Sequence, residues 1–388
     1  MTEIEAYIYG HKIGTLIHHN GTIYFEYDET FKSLGLEISP IKLHTQKTIK
    51  AYTNQDNIPL YGGLAGVFFD SLPDKHGMAF IDRYFERRDL KPHQITLLHK
   101  LAFIGDRGMG AIEYRPKEHE DNITDSTSIL NAKEAYEEMK KNITNKESSI
   151  TNLMNILDSV SSVGGGRPKM LVLYDEITNT IKSNTQNLPK DYKRAIIKFD
   201  ESYYENESIG LTKLEYIFMQ MAKDVGLNCA ETKVLKLASG ESVFLSKRFD
   251  RVNEERKHSL SLFALSNKTN QNKSKSFFGN STEVIKTIIN RYSDFEDMDT
   301  VNVVVKLLLD LAVNNTDNHL RNLRLILNNN NKWEFSPIYD VVFNPYSQNF
   351  IYNPAGLDLS DLYLTNPQLA EKLSKEFNLD IDLITEKI

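Results

Sequence analysis

The sequence of 388 residues contains one cysteine, Cys229, and one tryptophan. A lone thiol cannot close an intramolecular disulfide, and a thiolate zinc site would need ligands that are missing, so Cys229 reads as a small core residue. Long hydrophobic runs are also absent. The longest stretch, Val303 to Val313, is interrupted by Lys306 and Asp310 and falls well short of the roughly 18 to 20 residues that span a bilayer. The opening MTEIEAYIYG is acidic and has no apolar signal core, so a cytoplasmic location without a membrane partner is expected. Positive charge is in deficit: Lys and Arg total 46 against 53 Asp and Glu, a net charge of −7. Such a chain does not hold nucleic acid by its bulk charge. What remains is an ordinary globular composition, 40% hydrophobic and 26% charged, with length for two or three domains.

Residues 4 to 27 alternate in the manner of short strands, with turns expected at His11/Lys12 and at Asn20/Gly21. The run MAFIDRYFERRDL predicts a helix with Phe80, Tyr84 and Phe85 on one side, and ITLLHKLAFIG predicts a further apolar element. This first β-rich unit spans 1–116. Residues 117–150, rich in Lys, Glu, Asp, Asn, Ser and Thr, read as a solvated connector. An α/β lobe is expected over 151–253, with strands MLVLYD, RAIIKFD, ETKVLKL and SVFLSKRFD. Within it, Leu211, Leu214, Phe218, Met221 and Val225 recur at helical spacing, with Gly226 as the stop. Residues 254–388 read as helical, with NVVVKLLLDLAV buried on most sides. Two lobes of unlike texture leave a cleft suited to a nucleotide.

Several residues along this order could carry chemistry. In SSVGGGRPK, Gly164, Gly165 and Gly166 would let backbone N–H groups approach phosphates, with Arg167 and Lys169 adding positive charge. The tract lacks Walker A spacing and, read alone, is as readily a flexible turn. Lys198 ends the strand AIIKFD, where a lysine can reach phosphates from a sheet floor or simply face water. Glu215, on the next helix, is placed to pair with it. In NNTDNHLRN, Asp317 and Asn322 are five residues apart, the interval between the base and the metal-binding amide of a kinase catalytic loop. An Asn-rich turn is the bland alternative. Asp340 follows the apolar run in WEFSPIYDVV, where a second carboxylate for Mg²⁺ is needed. His18 with His19, and His93 with His99, make no convincing metal pair, and no nucleophile elbow is present. The 19 Tyr and 19 Phe fit cores and sheets better than a base-stacking platform.

In this order the motifs resemble those of the HipA family of bacterial serine/threonine kinases, the toxins of HipBA toxin–antitoxin modules. SVGGGRPKMLV resembles the nucleotide loop, AIIKFD the strand lysine, LSKRFDR the hinge, NTDNHLRN the catalytic loop and SPIYDV the metal-binding segment. GVFFDSLPD and LAFIGDRGMGAIEYRP resemble the amino-terminal subdomain of full-length members. The resemblance implies an α+β, two-lobed, protein-kinase-like fold, with a β-rich amino-terminal subdomain and nucleotide lobe followed by an all-helical C-terminal lobe. It implies ATP and Mg²⁺ as cofactors. Gly164, Gly165, Gly166, Arg167, Pro168 and Lys169 would embrace the triphosphate with Lys198, and Lys247, Arg248 and Phe249 would offer hinge backbone to adenine. Asp317 would be the catalytic base. His319, Asn322, Tyr339 and Asp340 would lie beside the nucleotide, with Asn322 and Asp340 holding the metal. Ser162, or the adjacent Ser161, would be the autophosphorylated residue that switches the enzyme off. The implied partners are a HipB-like helix-turn-helix antitoxin, operator DNA only through that complex, and an aminoacyl-tRNA synthetase or other protein substrate. Arg167, Pro168 and the segment HSLSLFALSNK depart from the best-known member. Two other readings compete: a catalytically silent scaffold that binds an antitoxin for transcriptional autoregulation, and a kinase acting on a small molecule.

Overall fold

A computed structural model describes residues 2–46, 51–55, 58–73, 75–86, 88–116, 169–183, 188–200, 202–204, 207–208, 210–236, 242–252, 254–266, 297–315, 319–343 and 363–387. The chain opens with β1 (Thr2–Ile8), β2 (His11–His19) and β3 (Thr22–Tyr27), then α1 (Glu29–Lys32) and β4 (Tyr52–Thr53). Three helices, α2 (Ile58–Tyr61), α3 (Gly66–Phe69) and α4 (Lys75–Glu86), lead to α5 (Leu97–Ile104) and β5 (Ile112–Pro116). The strands form an antiparallel sheet in the order β4-β3-β2-β1-β5. Its second tight turn falls at Asn20–Gly21 as expected, with φ of 48° and 78°. The first lies at Tyr9–Gly10, φ 51° and 81°, and not at His11/Lys12, which begin β2. Two successive left-handed residues match the twist of a two-residue hairpin, and Gly10 accepts that conformation without a Cβ penalty.

The second sheet joins β6 (Lys169–Asp175), β7 (Ile181–Ser183), β8 (Tyr192–Phe199), β11 (Thr232–Lys236) and β12 (Ser242–Lys247), in the order β11-β12-β8-β6-β7. A small hairpin, β9 (Ser202–Tyr204) and β10 (Glu207–Ser208), precedes α6 (Leu211–Asp224). Alternation sends Met170, Val172, Ala195, Ile197, Val243 and Leu245 to one face, where they form a core of their own. Lys169, Lys198 and Phe244 fall in register across three strands on the opposite face. There α6 packs by Leu211, Thr212, Glu215, Met219 and Ala222. This corrects the predicted stripe: Met221 and Val225 are exposed at 41% and 42%, because the helix turns its Glu215 side toward the lysines.

The rest of the described chain is not all helical, which corrects the other architectural expectation. After the hairpin β13 (Arg251–Val252) and β14 (Glu255–Arg256), β15 (Ser259–Ser261) pairs with β16 (Arg324–Leu327), and β16 pairs with β17 (Trp333–Phe335). The helices of this lobe are α7 (Leu262–Ser266), α8 (Asp297–Ala312), α9 (Asn366–Phe377) and α10 (Ile381–Lys387). No described helix is long and apolar enough to cross a membrane.

One apolar core continues from the first sheet through α3 and α5 into α7, α8 and α9. Gly66 marks how closely the two parts meet, since a Cβ there would stand 2.1 Å from the carbonyl oxygen of Ala264. Polar ties reinforce the contact. Tyr61 Oη donates to the carbonyl of Phe263 at 2.7 Å, and the Gly110 N–H donates to Asp250 Oδ2 at 2.8 Å. Asp250 is also held by Arg248 and Arg251, whose guanidinium groups overcome burial and keep its carboxyl well below the usual range. The amino-terminal unit is thereby built into the C-terminal lobe rather than strung beside it.

Candidate active site

The cleft between the second sheet and the C-terminal lobe takes in about 770 Å³ of space, the open solvent at its mouth included. Lys198 stands at its centre. Its ammonium donates to Glu215 Oε1 of α6 at 2.6 Å and to Asp340 Oδ1. Glu215 is fully buried, and Lys198 is 7% exposed. One ammonium between two carboxylates leaves a net negative charge in the trio, and Lys169, which also acts on Asp340, offsets it in a site where a buried charge needs a partner. Lys169 lies directly across from Lys198 in the strand register and is equally buried.

Asp340 is positioned by its backbone. Its φ of 59° is left-handed, a conformation Asp tolerates better than most residues. The preceding Ile338 is clamped to the segment after α6: the Ala230 N–H donates to the Ile338 carbonyl at 2.9 Å, and the Ile338 N–H donates to Asn228 at 2.7 Å. Tyr339 Oη donates to the Arg321 carbonyl at 2.6 Å, and Asn315 Nδ2 donates to the Asp340 carbonyl at 3.3 Å. Burial works to raise the Asp340 pKa, but Lys198 first, then Lys169 and His319, hold the carboxyl well below the usual range. Asn322 ends a 3-10 turn over Leu320–Asn322, with its N–H on the His319 carbonyl at 2.8 Å, and is 4% exposed.

Lys169, Lys198, Lys247, Arg248, Phe249, Asn322, Tyr339 and Asp340, all expected beside a nucleotide, line this one cleft together with Glu215. His319 acts on it through its charge. Ser161, Ser162, Gly164, Gly165, Gly166, Arg167, Pro168 and Asp317 lie outside the described residues, as does the connector 117–150. Two hinge residues have other engagements. The Lys247 N–H donates to the Glu231 carbonyl and the Arg248 N–H to the Arg194 carbonyl, which occupies these two hinge donors, and the Phe249 ring centroid lies 5.5 Å from that of Tyr339. The side chain of Arg248 is committed to Asp250 and the Gly108 carbonyl.

Sequence reasoning missed Asp70, Leu72 and Met109, which the amino-terminal unit contributes to the lining, and Arg321 and Arg324 beside Asn322. The available signal was an aspartate inside the apolar run GVFFDSL, since a charge in such a run needs a buried partner. Six cationic and three anionic side chains line the cleft, but Lys247 is also paired with Glu176 and Glu231, and Arg248 with Asp250, so the lining cations are largely matched by carboxylates in and around the cleft. Among the described residues no three His, Cys, Asp or Glu side chains are grouped to hold a metal. A carboxylate and an amide, Asp340 and Asn322, nevertheless suit Mg²⁺, which takes few protein ligands and completes its shell with phosphate oxygens and water.

A family model described as the HipA-like C-terminal domain matches residues 161–380, and one described as the HipA N-terminal domain matches residues 4–115. The chain belongs to the HipA family. No curated protein matches it. Among solved structures, the HipA chain of the Shewanella oneidensis MR-1 complex of HipA, HipB and operator DNA superposes with a TM-score of 0.68 at 18% identity. That match covers 99% of this chain and 87% of the other. The Helicobacter pylori proinflammatory kinase CtkA matches at a TM-score of 0.33 and 15% identity, over 55% of this chain and 62% of its own, a likeness too slight to bear on the fold. The α+β, HipA-like architecture expected from the motifs is thus the observed one.

Proposed function

We propose that this HipA-family chain is the toxin of a type II toxin–antitoxin module and acts as an Mg²⁺- and ATP-dependent serine/threonine protein kinase. The observation that carries the reading is Lys198 held between Glu215 and Asp340 in a cleft also lined by Lys169 and Asn322. That is the strand-lysine, helix-glutamate and metal-aspartate set of a phosphotransfer site. Lys198 and Lys169 would bind the phosphates of ATP, and Asn322 and Asp340 would hold the metal, which when bound offsets negative charge on the transferred group. Asp317 would orient the acceptor hydroxyl and take its proton. Glu215 would keep Lys198 in place over the sheet while Asp340 held the metal. The protein substrate is an aminoacyl-tRNA synthetase or another protein, and autophosphorylation of Ser162 or Ser161 would place about −1.5 to −2 charges beside the triphosphate site. The Shewanella relative's assembly with HipB and operator DNA supports a HipB-like antitoxin as partner, with DNA reached only through it.

The test is intact-mass and peptide mass spectrometry of wild type, Lys198→Met and Asp317→Ala after incubation with Mg²⁺ and ATP. Phosphate on Ser161 or Ser162 in wild type alone is expected. A wild type that gains none, and carries none from expression, would favour the silent scaffold.

A further inference from the structure

Among the residues that the amino-terminal unit brings to the cleft, Asp70 directly follows α3, and α3 with Asp70 grips the chain on both sides of Asn322. Asp70, 9% exposed, accepts from the Ser261 N–H at 2.9 Å and from the Ser261 hydroxyl through its other oxygen. Arg324 Nη2 donates to Asp70 Oδ2 at 2.7 Å, while Arg324 Nε donates to Ser259 Oγ at 3.3 Å. On the other side of Asn322, the Arg321 guanidinium lies 5.4 Å from the ring centroid of Phe69 and 4.7 Å from that of Phe263. The same Arg321 offers its carbonyl to Tyr339, the neighbour of Asp340. Asn322 sits between two arginines that adjacent residues of α3 and its C-terminus hold, across about 250 residues of sequence.

Resting on the phosphotransfer reading, we propose that Asp70 is a positioning residue of that site: through Arg324 it fixes the Asn322 turn, so the amino-terminal unit completes the metal-holding side of the cleft. The physical reason is preorganisation. Asn322 must present its amide oxygen at a set place relative to Asp340, and a displacement near 1 Å costs about 100-fold in rate. The three-residue turn, with the Asn322 N–H on His319, is stiffened by its neighbours: Tyr339 holds the Arg321 carbonyl, the Leu262 N–H holds the Leu323 carbonyl, and the α3 segment holds the two arginine side chains.

Asp70→Asn tests this in the full-length protein, with Tyr61→Phe as control, because Tyr61 ties the same two parts together at Phe263 and lies outside the cleft lining. Three quantities are read: phosphotransfer rate, the Mg²⁺ dependence of ATP binding, and hydrogen exchange over residues 319–327 without ligand. Asp70→Asn is expected to lower kcat and weaken Mg²⁺ binding by about 10- to 100-fold, as loss of a partner behind a metal ligand does. ATP affinity without Mg²⁺ should stay within about two-fold. Exchange over 319–327 should rise, and Asp70→Asn combined with Arg324→Gln should be no worse than the poorer single variant. Tyr61→Phe should leave kcat and the Mg²⁺ dependence as in wild type. If wild type is active and Asp70→Asn matches it, or Tyr61→Phe loses as much, the positioning role is overturned while the kinase reading stands. If wild type binds ATP without transferring phosphate, the Mg²⁺ dependence of binding and the exchange over 319–327 decide by the same criteria. A wild type that neither binds ATP nor transfers phosphate overturns the kinase reading and, with it, the positioning role.

Discussion

Lys198 and Lys306 are both buried lysines paired with an aspartate, yet their surroundings differ in kind. Lys306 and Asp310 lie one turn apart on α8, at 0% and 1% side-chain exposure, with Asn315 Nδ2 donating to the same carboxylate at 2.8 Å. Burial raises the Asp310 pKa, and Lys306 and Asn315 offset that only in part. Lys198 and Asp340 keep 9% and 13% exposure, on a cleft. There Lys169 and His319 add positive charge, and the Asp340 pKa falls. A buried ion pair is therefore not by itself a sign of function. One aspartate sits where burial dominates and is locked in a helix interior. The other sits on a cleft where neighbouring cations outweigh burial and favour its anion. Asn315 joins the two regions, donating to Asp310 Oδ1 and, more weakly, to the Asp340 carbonyl.

The largest effect should come from the cleft. Asp340→Ala is expected to lower phosphotransfer by about 1,000-fold or more and to remove the Mg²⁺ dependence of ATP binding under conditions where urea unfolding shows the variant still folded, since loss of this partner of Lys198 also lowers stability. Equal loss of fold and activity would erase the contrast. On the other side, Lys306→Met leaves Asp310 without its counter-charge and should cost about 3–5 kcal/mol in urea unfolding. Activity at a temperature where the variant stays folded should be near wild type. Asn315→Ala removes a donor from a buried carboxylate and should cost about 1–3 kcal/mol, with a several-fold fall in rate because the Asp340 backbone loses one support. If only stability changes, the link between the regions is structural alone.

The smallest and most discriminating effect is a difference in sign with pH. Asp340, depressed in the folded state, contributes stability that is fully present above the ordinary carboxylate pKa of about 3.9 and lost as pH falls below it. Asp310, raised in the folded state, keeps its proton longer than in the unfolded chain, so its contribution falls as pH rises from about 3.9 toward its folded value. The stability gap between wild type and Asp340→Asn should therefore widen with rising pH, and the gap to Asp310→Asn should narrow. Urea titrations from about pH 3 to pH 6 read both slopes, and parallel slopes would refute the assignment of opposite surroundings.

Much of the site was legible because its residues sit in short motifs whose local geometry is set by neighbours in the chain. Lys198 ends a strand, Asn322 follows Asp317 at a fixed interval, and Asp340 closes an apolar run. Glu215 was placed by its position on the next helix, yet the same helix was assigned the wrong buried face. The predicted stripe through Met221 and Val225 maximised apolar content, whereas the observed face is chosen by pairing Glu215 with Lys198. The strands β15 and β16 went unread because Ser259–Ser261 is short and its partner Arg324–Leu327 lies more than 60 residues away. A pairing of that kind leaves no periodic trace.

By itself the sequence determined the family and the lysine, asparagine and aspartate that line the cleft, because motif spacing is a property of neighbouring residues. Only the tertiary structure decided that Asp70 and Phe69 of the first unit hold Arg324 and Arg321 around Asn322, and that Lys198 and Lys306 belong to different environments. Those facts depend on which charges are buried together, and burial is set by packing between segments hundreds of residues apart.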